Sequence, residues 1–301
     1  MASNLHQPTD LPEVLPLSPR REMLLRAQGH KGFLIGLAIV TLAALCAVLA
    51  PVIAPHDPYV QDLTNRLLPP VWQDGGSAAH LLGTDQFGRD LLSRVIYGAR
   101  VTMLVGVGAV VVSGFIGSLL GLLGGYFGGW VDSAVVFLTS VKLAMPGVLI
   151  ALSLLTIFGG SLLSITLIVG FLFWDRFAIV VRTATQQLRS SDFITAAETA
   201  GASKAWIIGR EILPNVLNQI IVVASLEMAI AILVEASLSF LGLGIQPPMP
   251  SWGLLVSEGR PYLMFKPYLI NVPGLTIFVL VVGINLLGDG LRDILSPRGR
   301  A

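Results

Sequence analysis

The sequence predicts an all-α, polytopic membrane protein with six transmembrane helices, and three observations predict it. Hydrophobic residues fill 54% of the 301 positions and charged residues only 12%, about half the charge of an ordinary soluble domain. Mean hydropathy is +0.78. All but five of the charges lie outside six long apolar runs, each close to the roughly 20 residues that a helix needs to cross hydrocarbon. A water-soluble fold of this composition would expose large apolar patches, which soluble monomers rarely do. A disordered chain needs far more charge. Net charge is +1, so no acidic or basic tail points to a nucleic-acid partner. The single cysteine, Cys46, can form no internal disulfide and no cysteine cluster.

The elements follow in order. Residues 1–32 form a polar tail bearing Pro8, Pro12, Pro16 and Pro19, then a basic cluster of Arg20, Arg21, Arg26 and Lys31. The first span is 33–54. It starts too late, and runs too long, for a signal peptide with its apolar region of about 7–15 residues, so it is read as a retained anchor. The second span is 101–125 and the third 133–158. Gly159-Gly160-Ser161 separates the third from the fourth, 162–181. The fifth, 215–241, follows Pro214, whose missing N–H is not needed in the first turn of a helix. The sixth is 268–288. The membrane domain is thus 33–291, and 292–301 is a second tail.

Lys and Arg placement sets the orientation. With the N-terminus in the cytoplasm, the inside segments hold eleven basic residues, among them Arg182, Arg189, Lys204, Arg210, Arg292, Arg298 and Arg300. The outside segments hold six: Arg66, Arg89, Arg94, Arg100, Arg260 and Lys266. Both termini are therefore expected inside. Arg89, Arg94 and Arg100 dissent, in a loop long enough to weaken the rule.

Ionisable groups within spans are costly and commonly functional. Lys142, Asp175 and Arg176 lie towards inner ends and are expected to snorkel to the headgroups. Glu227 and Glu235 are eight residues apart on one helix, about 80° around its axis. Both are candidates for a translocation path, and Glu235 is expected to face that path or the bundle interior, not lipid.

No nucleophile–base set, no phosphate-binding G-x-x-x-x-G-K-[ST] and no zinc spacing is found in the sequence. His6, His30, His56 and His80 are scattered outside the spans and read as solvated or locally bonded. No catalytic residue, metal ligand or cofactor is therefore assigned. ATP, if used, must be bound by a partner chain.

One inside segment stands out, 182–213, with small residues at its centre: Thr195, Ala196, Ala197, Glu198, Thr199, Ala200, Gly201. A helix with a small-residue face can sit deep in another protein's groove, and Gly201 permits a sharp reversal after it. The same composition suits an ordinary connector. Ala196-Ala197, Gly201 and then Ile212-Leu213-Pro214 resemble the "EAA" loop of ABC-transporter permease subunits. Thr195 stands where that loop has its leading glutamate, and Glu198 lies three residues on. The segments His80–Arg94, Gly124–Asp132, Leu238–Gly253 and Asn285–Asp293 are similar to the C-type permeases of dipeptide, oligopeptide and nickel importers. The insert between Pro69 and His80 is most like dipeptide members.

The resemblance covers about 31–298 and implies a type I ABC importer permease fold in a bacterial plasma membrane. It implies that Thr195, Ala196, Ala197, Glu198, Gly201 and Pro214 belong to a coupling helix docking on a cytoplasmic ABC ATPase. The further partners implied are a second, B-type permease and an extracytoplasmic solute-binding protein. An ion-coupled secondary transporter is the alternative; it would commonly carry inverted repeats, and none is apparent.

Overall fold

The computed structural model describes residues 19–295, without the side chains of 19–22 and 24. Residues 1–18 and 296–301, which include parts of both expected tails and Arg298 and Arg300, lie outside the described residues. Regular structure among the described residues is helical, apart from one isolated bridge between Thr84 and Asp90. In order these are α1 (Pro19–Gly29), α2 (Lys31–Ile53), α3 (Leu91–Phe127), α4 (Gly129–Ala144), α5 (Gly147–Phe158), α6 (Leu162–Leu172) and α7 (Trp174–Arg189). They continue with α8 (Asp192–Thr199), α9 (Lys204–Trp206), a π-helical stretch (Ile207–Ile212), α10 (Leu213–Phe240), α11 (Trp252–Gly259) and α12 (Tyr268–Leu295). Short single-turn segments complete the loops.

Five helices are long and apolar enough to cross a membrane, counting α6–α7 and α9–α10 each as one, and a sixth results if α4 and α5 form one broken span. Their outward faces are greasy: Val52 is 81% exposed, Ile157 73% and Phe115 71%. Only a lipid or protein surround suits such a surface.

The structure departs from the expected spans in five places, the sixth helix running on from 288 to Leu295. The third span, expected as one helix over 133–158, is α4 and α5, bent by 85°. Pro146 is the reason. The residue before a proline is driven out of the helical region, and Met145 is extended at φ −100°, ψ 129°. The second span, expected at 101, begins at Leu91 and runs 37 residues, about 55 Å at 1.5 Å per residue. The Asp90 carboxylate caps it by accepting from the Ser93 N–H at 2.8 Å. The fourth continues past 181 to Arg189, with one non-helical residue, Phe173, inside it. Finally, the fifth helix starts at Lys204, not after Pro214. Proline cannot donate, and its ring strikes the carbonyl four residues back. Immediately before Pro214 the helix widens into π geometry, the Leu213 N–H reaching back five residues to the Ile208 carbonyl.

The α3–α7 contact is the tightest in the bundle, because Gly117, Gly121 and Gly125 place bare backbone against α7. A Cβ there would lie 2.6 Å from Phe177 Cβ, 2.7 Å from the Ala178 carbonyl and 2.6 Å from Thr185 Cβ respectively. Spaced four apart, they form one face, the small-residue packing that lets helices approach in a membrane.

Three apolar cores lie along the molecule. One joins α2, α3, α11 and α12 around Trp252 and Tyr268. A second joins α3, α5, α6 and α10. The third joins the end of α3 to α7, Ile194 of α8 and the π stretch. The bundle thus has two unlike ends, one capped by residues 55–90 and α11, the other by α8.

Candidate functional site

At one end the chain turns back through α8. Ile194, 1% exposed, anchors this helix on Ile207 and Ile212. Ala197, three residues on, also faces the bundle. Thr195, Ala196, Thr199 and Ala200 therefore point outward, and all four are exposed. Gly201 ends the helix at φ +83°. The Ala202 N–H donates to the Ala197 carbonyl and the Gly201 N–H to the Glu198 carbonyl, both at 3.0 Å. This is the paired bonding that glycine supports at helix C-termini. A Cβ on Gly201 would meet nothing within 4 Å. What results is a short outward ledge of small side chains, headed by the exposed Phe193 one turn before Ala196. One side-chain bond ties it back: the Tyr126 hydroxyl donates to Glu198 Oε1 at 3.2 Å. Arg189 lies over the Tyr126 ring and Lys204 over the Phe127 ring, so this end carries a belt of cations on aromatics. Pro214 is ten residues into the following helix, exposed, and not part of the ledge.

The opposite end is closed by a buried ionic clasp. Arg94, fully buried, donates through Nη1 to Asp85 Oδ2 at 2.5 Å and to Glu258 Oε2 at 2.7 Å. Arg89 Nε donates to the same Asp85 oxygen at 2.6 Å, and its Nη2 to Glu258 at 3.2 Å. The loop before α3 and the helix α11, distant in sequence, are joined to the head of α3. Arg89 and Arg94, two of the three arginines that dissent from the charge rule, are matched there by two carboxylates.

Beside the clasp, His80 Nδ1 lies 2.9 Å from Asp90 Oδ1, and the His56 ring lies 4.8 Å from that of His80. The ligand atoms of His56, His80 and Asp90 fall within 4.8 Å of one another, near enough to share a metal ion. Asp90 Oδ2 is already occupied by the Ser93 N–H and hydroxyl. The cluster therefore works as a helix cap extended by a histidine. The sequence missed it because folding brings together histidines 24 positions apart.

Between the ends lie charges at membrane depth. Glu235 is fully buried and accepts from the hydroxyls of Ser239 at 2.8 Å and Ser251 at 3.0 Å. It lies in the bundle interior and links α10 to the loop before α11. Glu227, 2% exposed, accepts from Arg176 Nη1 at 3.1 Å. Lys142 pairs with the buried Asp175. The three groups expected to snorkel are instead held by partners across helices. The two glutamates do not share a site.

Comparison with known proteins places these features. Residues 91–301 match the family model of the binding-protein-dependent transport system inner membrane component. Residues 18–70 match the N-terminal membrane domain of oligopeptide transport permease C. A dipeptide transport system permease protein from Haemophilus influenzae is 40% identical over 283 residues, 94% of this chain and 96% of the relative. A di/tripeptide transport system permease protein from Pseudomonas aeruginosa is 39% identical over 291 residues, 97% and 96%. A glutathione transport system permease protein from Pectobacterium atrosepticum is 38% identical over 282 residues, 93% and 92%. With a family match over most of its length, this polypeptide belongs to the inner membrane components of binding-protein-dependent transport systems, as a multi-pass ABC importer permease.

Proposed function

We propose that this permease forms half of a path for di- or oligopeptides across a bacterial plasma membrane, the other half being a B-type permease. Both termini face the cytoplasm, and the α8 ledge docks into a groove on the cytoplasmic ATPase. The observation that carries the docking reading is the outward face of Thr195, Ala196, Thr199 and Ala200, apolar or small and unoccupied by the chain itself. The cations Arg182, Arg189 and Lys204 near that end agree with the positive-inside rule. The peptide cargo is supported by the names of the relatives; glutathione, named for one of them, is itself a peptide.

The mechanism is mechanical. The chain moves no bond; ATP is bound by the partner subunits. Closing of an ATPase pair shifts the ledge, and the Ile194 anchor passes that motion into the α7–α10 core. The ATPase must bind the two arrangements of the bundle unequally, or its closure shifts nothing.

Ala196→Trp tests this. Ala196 is helical and exposed, so the fold tolerates the ring while the ledge loses its flatness. The variant is expected to insert normally and to lose the ATPase on co-purification. Normal recovery of the ATPase, with uptake intact, rejects docking through this face. Gly201→Trp is a weaker probe, because its backbone at φ +83° strains any side chain.

A further inference from the structure

Arg176 is the only one of these charges at membrane depth that stands half open. Its side chain is 52% exposed, while Glu227 and Asp175, at 2% and 1%, are sealed and Lys142 is at 18%. Arg176 lies six residues, about 9 Å along the axis, before Arg182, where the polar end of α7 begins. The guanidinium is tied to Glu227 rather than extended to a headgroup. An exposed cation within the span does not face hydrocarbon without a cost, so the face that carries it is suited to water.

A cavity of about 530 Å³ supports the same conclusion from a different direction. It opens between α7, α10 and α12 and is lined by Val180, Asn215, Gln219, Val223 and Arg292, among others. Its polar lining can hold water. Val180 is one helical turn from Arg176, and Val223 one turn from Glu227, on the same faces. The Arg176–Glu227 pair lies one turn beyond the residues that line this cavity. Asp175, next to Arg176 in sequence, holds Lys142, so two ion pairs lie side by side. One Glu227 oxygen, Oε2, has no hydrogen-bond partner.

We infer that Arg176 is the specificity-determining residue of a water-filled groove and takes a carboxylate group of the passing solute. Guanidinium is suited to this, with five donors of which Glu227 uses one edge. The solute's carboxylate shares Arg176 with Glu227, and the negative charge it adds is offset by the ammonium group of a zwitterionic peptide. The inference rests on the transport reading above and adds the chemistry that the groove selects.

The test uses the complete transporter in membranes, with Cys46→Ser and Val180→Cys, and Val223→Cys as an independent second position. The probes are an anionic and a cationic methanethiosulfonate. Both are expected to label the new cysteine from water, whereas Phe115→Cys on the lipid face stays unlabelled. Adding Arg176→Gln is expected to slow the anionic reagent and speed the cationic one, each by about threefold at low salt, as for a unit charge one turn away in water. Alanylalanine should slow the labelling while Arg176 is present, its C-terminal amide should not, and Arg176→Gln should abolish the difference.

A cysteine closed to both reagents at both positions overturns the wet groove. Rates indifferent to Arg176, or equal protection by dipeptide and amide, overturn the carboxylate role. The docking reading fails separately, through ATPase co-purification of Ala196→Trp, so the two failures are distinguishable.

Discussion

The two ends of the bundle are built on opposite principles. The clasp end is closed by its own charges: Asp85, Arg89, Arg94 and Glu258 bond to one another in a largely buried setting, and Trp252 Nε1 donates to the Val95 carbonyl at 2.8 Å. The α8 end leaves its outer face empty and ties itself back through one tyrosine–glutamate bond. A chain that finishes one end and leaves the other bare is rigid where it closes and incomplete where another chain must push. The contrast predicts that substitutions at the clasp harm the fold, and substitutions on the ledge harm only what it touches.

Arg94→Ala attacks the contrast at its strongest point. Removing the shared cation leaves Asp85 and Glu258 facing each other without it, and breaking a buried pair in this way costs about 3–5 kcal/mol. Thermal unfolding in detergent should show the largest fall of any substitution discussed here. Arg94→Lys should recover only part of it, since an ammonium does not reproduce the fork that spans two carboxylates. A loss as small as that of an exposed residue would remove the distinction between the ends.

Glu235→Ala sharpens the comparison by moving inward from the clasp. Two serine hydroxyls lose their acceptor in a sealed site, at a cost of about 1–3 kcal/mol. Glu235→Gln keeps an acceptor and should stay near wild type in stability. If Gln also leaves uptake unchanged at normal assembly, Glu235 is a strut joining α10 to Ser251 and makes no contact with solute.

The helical class, the apolar runs and the family resemblance were legible because each is carried by local composition or contiguous motif. What escaped was punctuation and pairing. Pro146 was visible, yet hydropathy counts it as one residue in an apolar run, while the backbone counts it as a stop. Pro214 was placed at a helix start on propensity; the π stretch beneath it lets the helix begin ten residues earlier. Arg176 was read as a snorkelling side chain because its partner, Glu227, is 51 positions away. Glu258 was not singled out, since nothing near it in sequence shows that two arginines converge on it. Of the outward ledge, Ala196 and Gly201 were legible in spacing; which face of α8 is free depends on the Ile194 anchor, a tertiary fact.

The Tyr126–Glu198 bond is the next smaller test. It is one neutral-to-charged bond, partly open to water, and Tyr126→Phe should cost about 1 kcal/mol or less. A cycle with Glu198→Gln isolates the pair from the packing of the ring, which is itself nearly buried. A coupling near zero would mean that Ile194 alone positions the ledge.

The smallest expected effect on the fold is that of Ala196→Trp, within about 0.5 kcal/mol, because an exposed helical position away from caps and cores gives up nothing when it is enlarged. That near-silence makes the substitution informative. Arg94→Ala would lower uptake by removing folded protein, and the amount of transporter in the membrane would fall with it. Ala196→Trp should leave the amount and the melting temperature alone and still stop uptake, since the ledge works only through the surface it offers. Were Ala196→Trp to destabilise the chain as much as Arg94→Ala, the ledge would be part of the fold's own core, and both ends of the bundle would be closed.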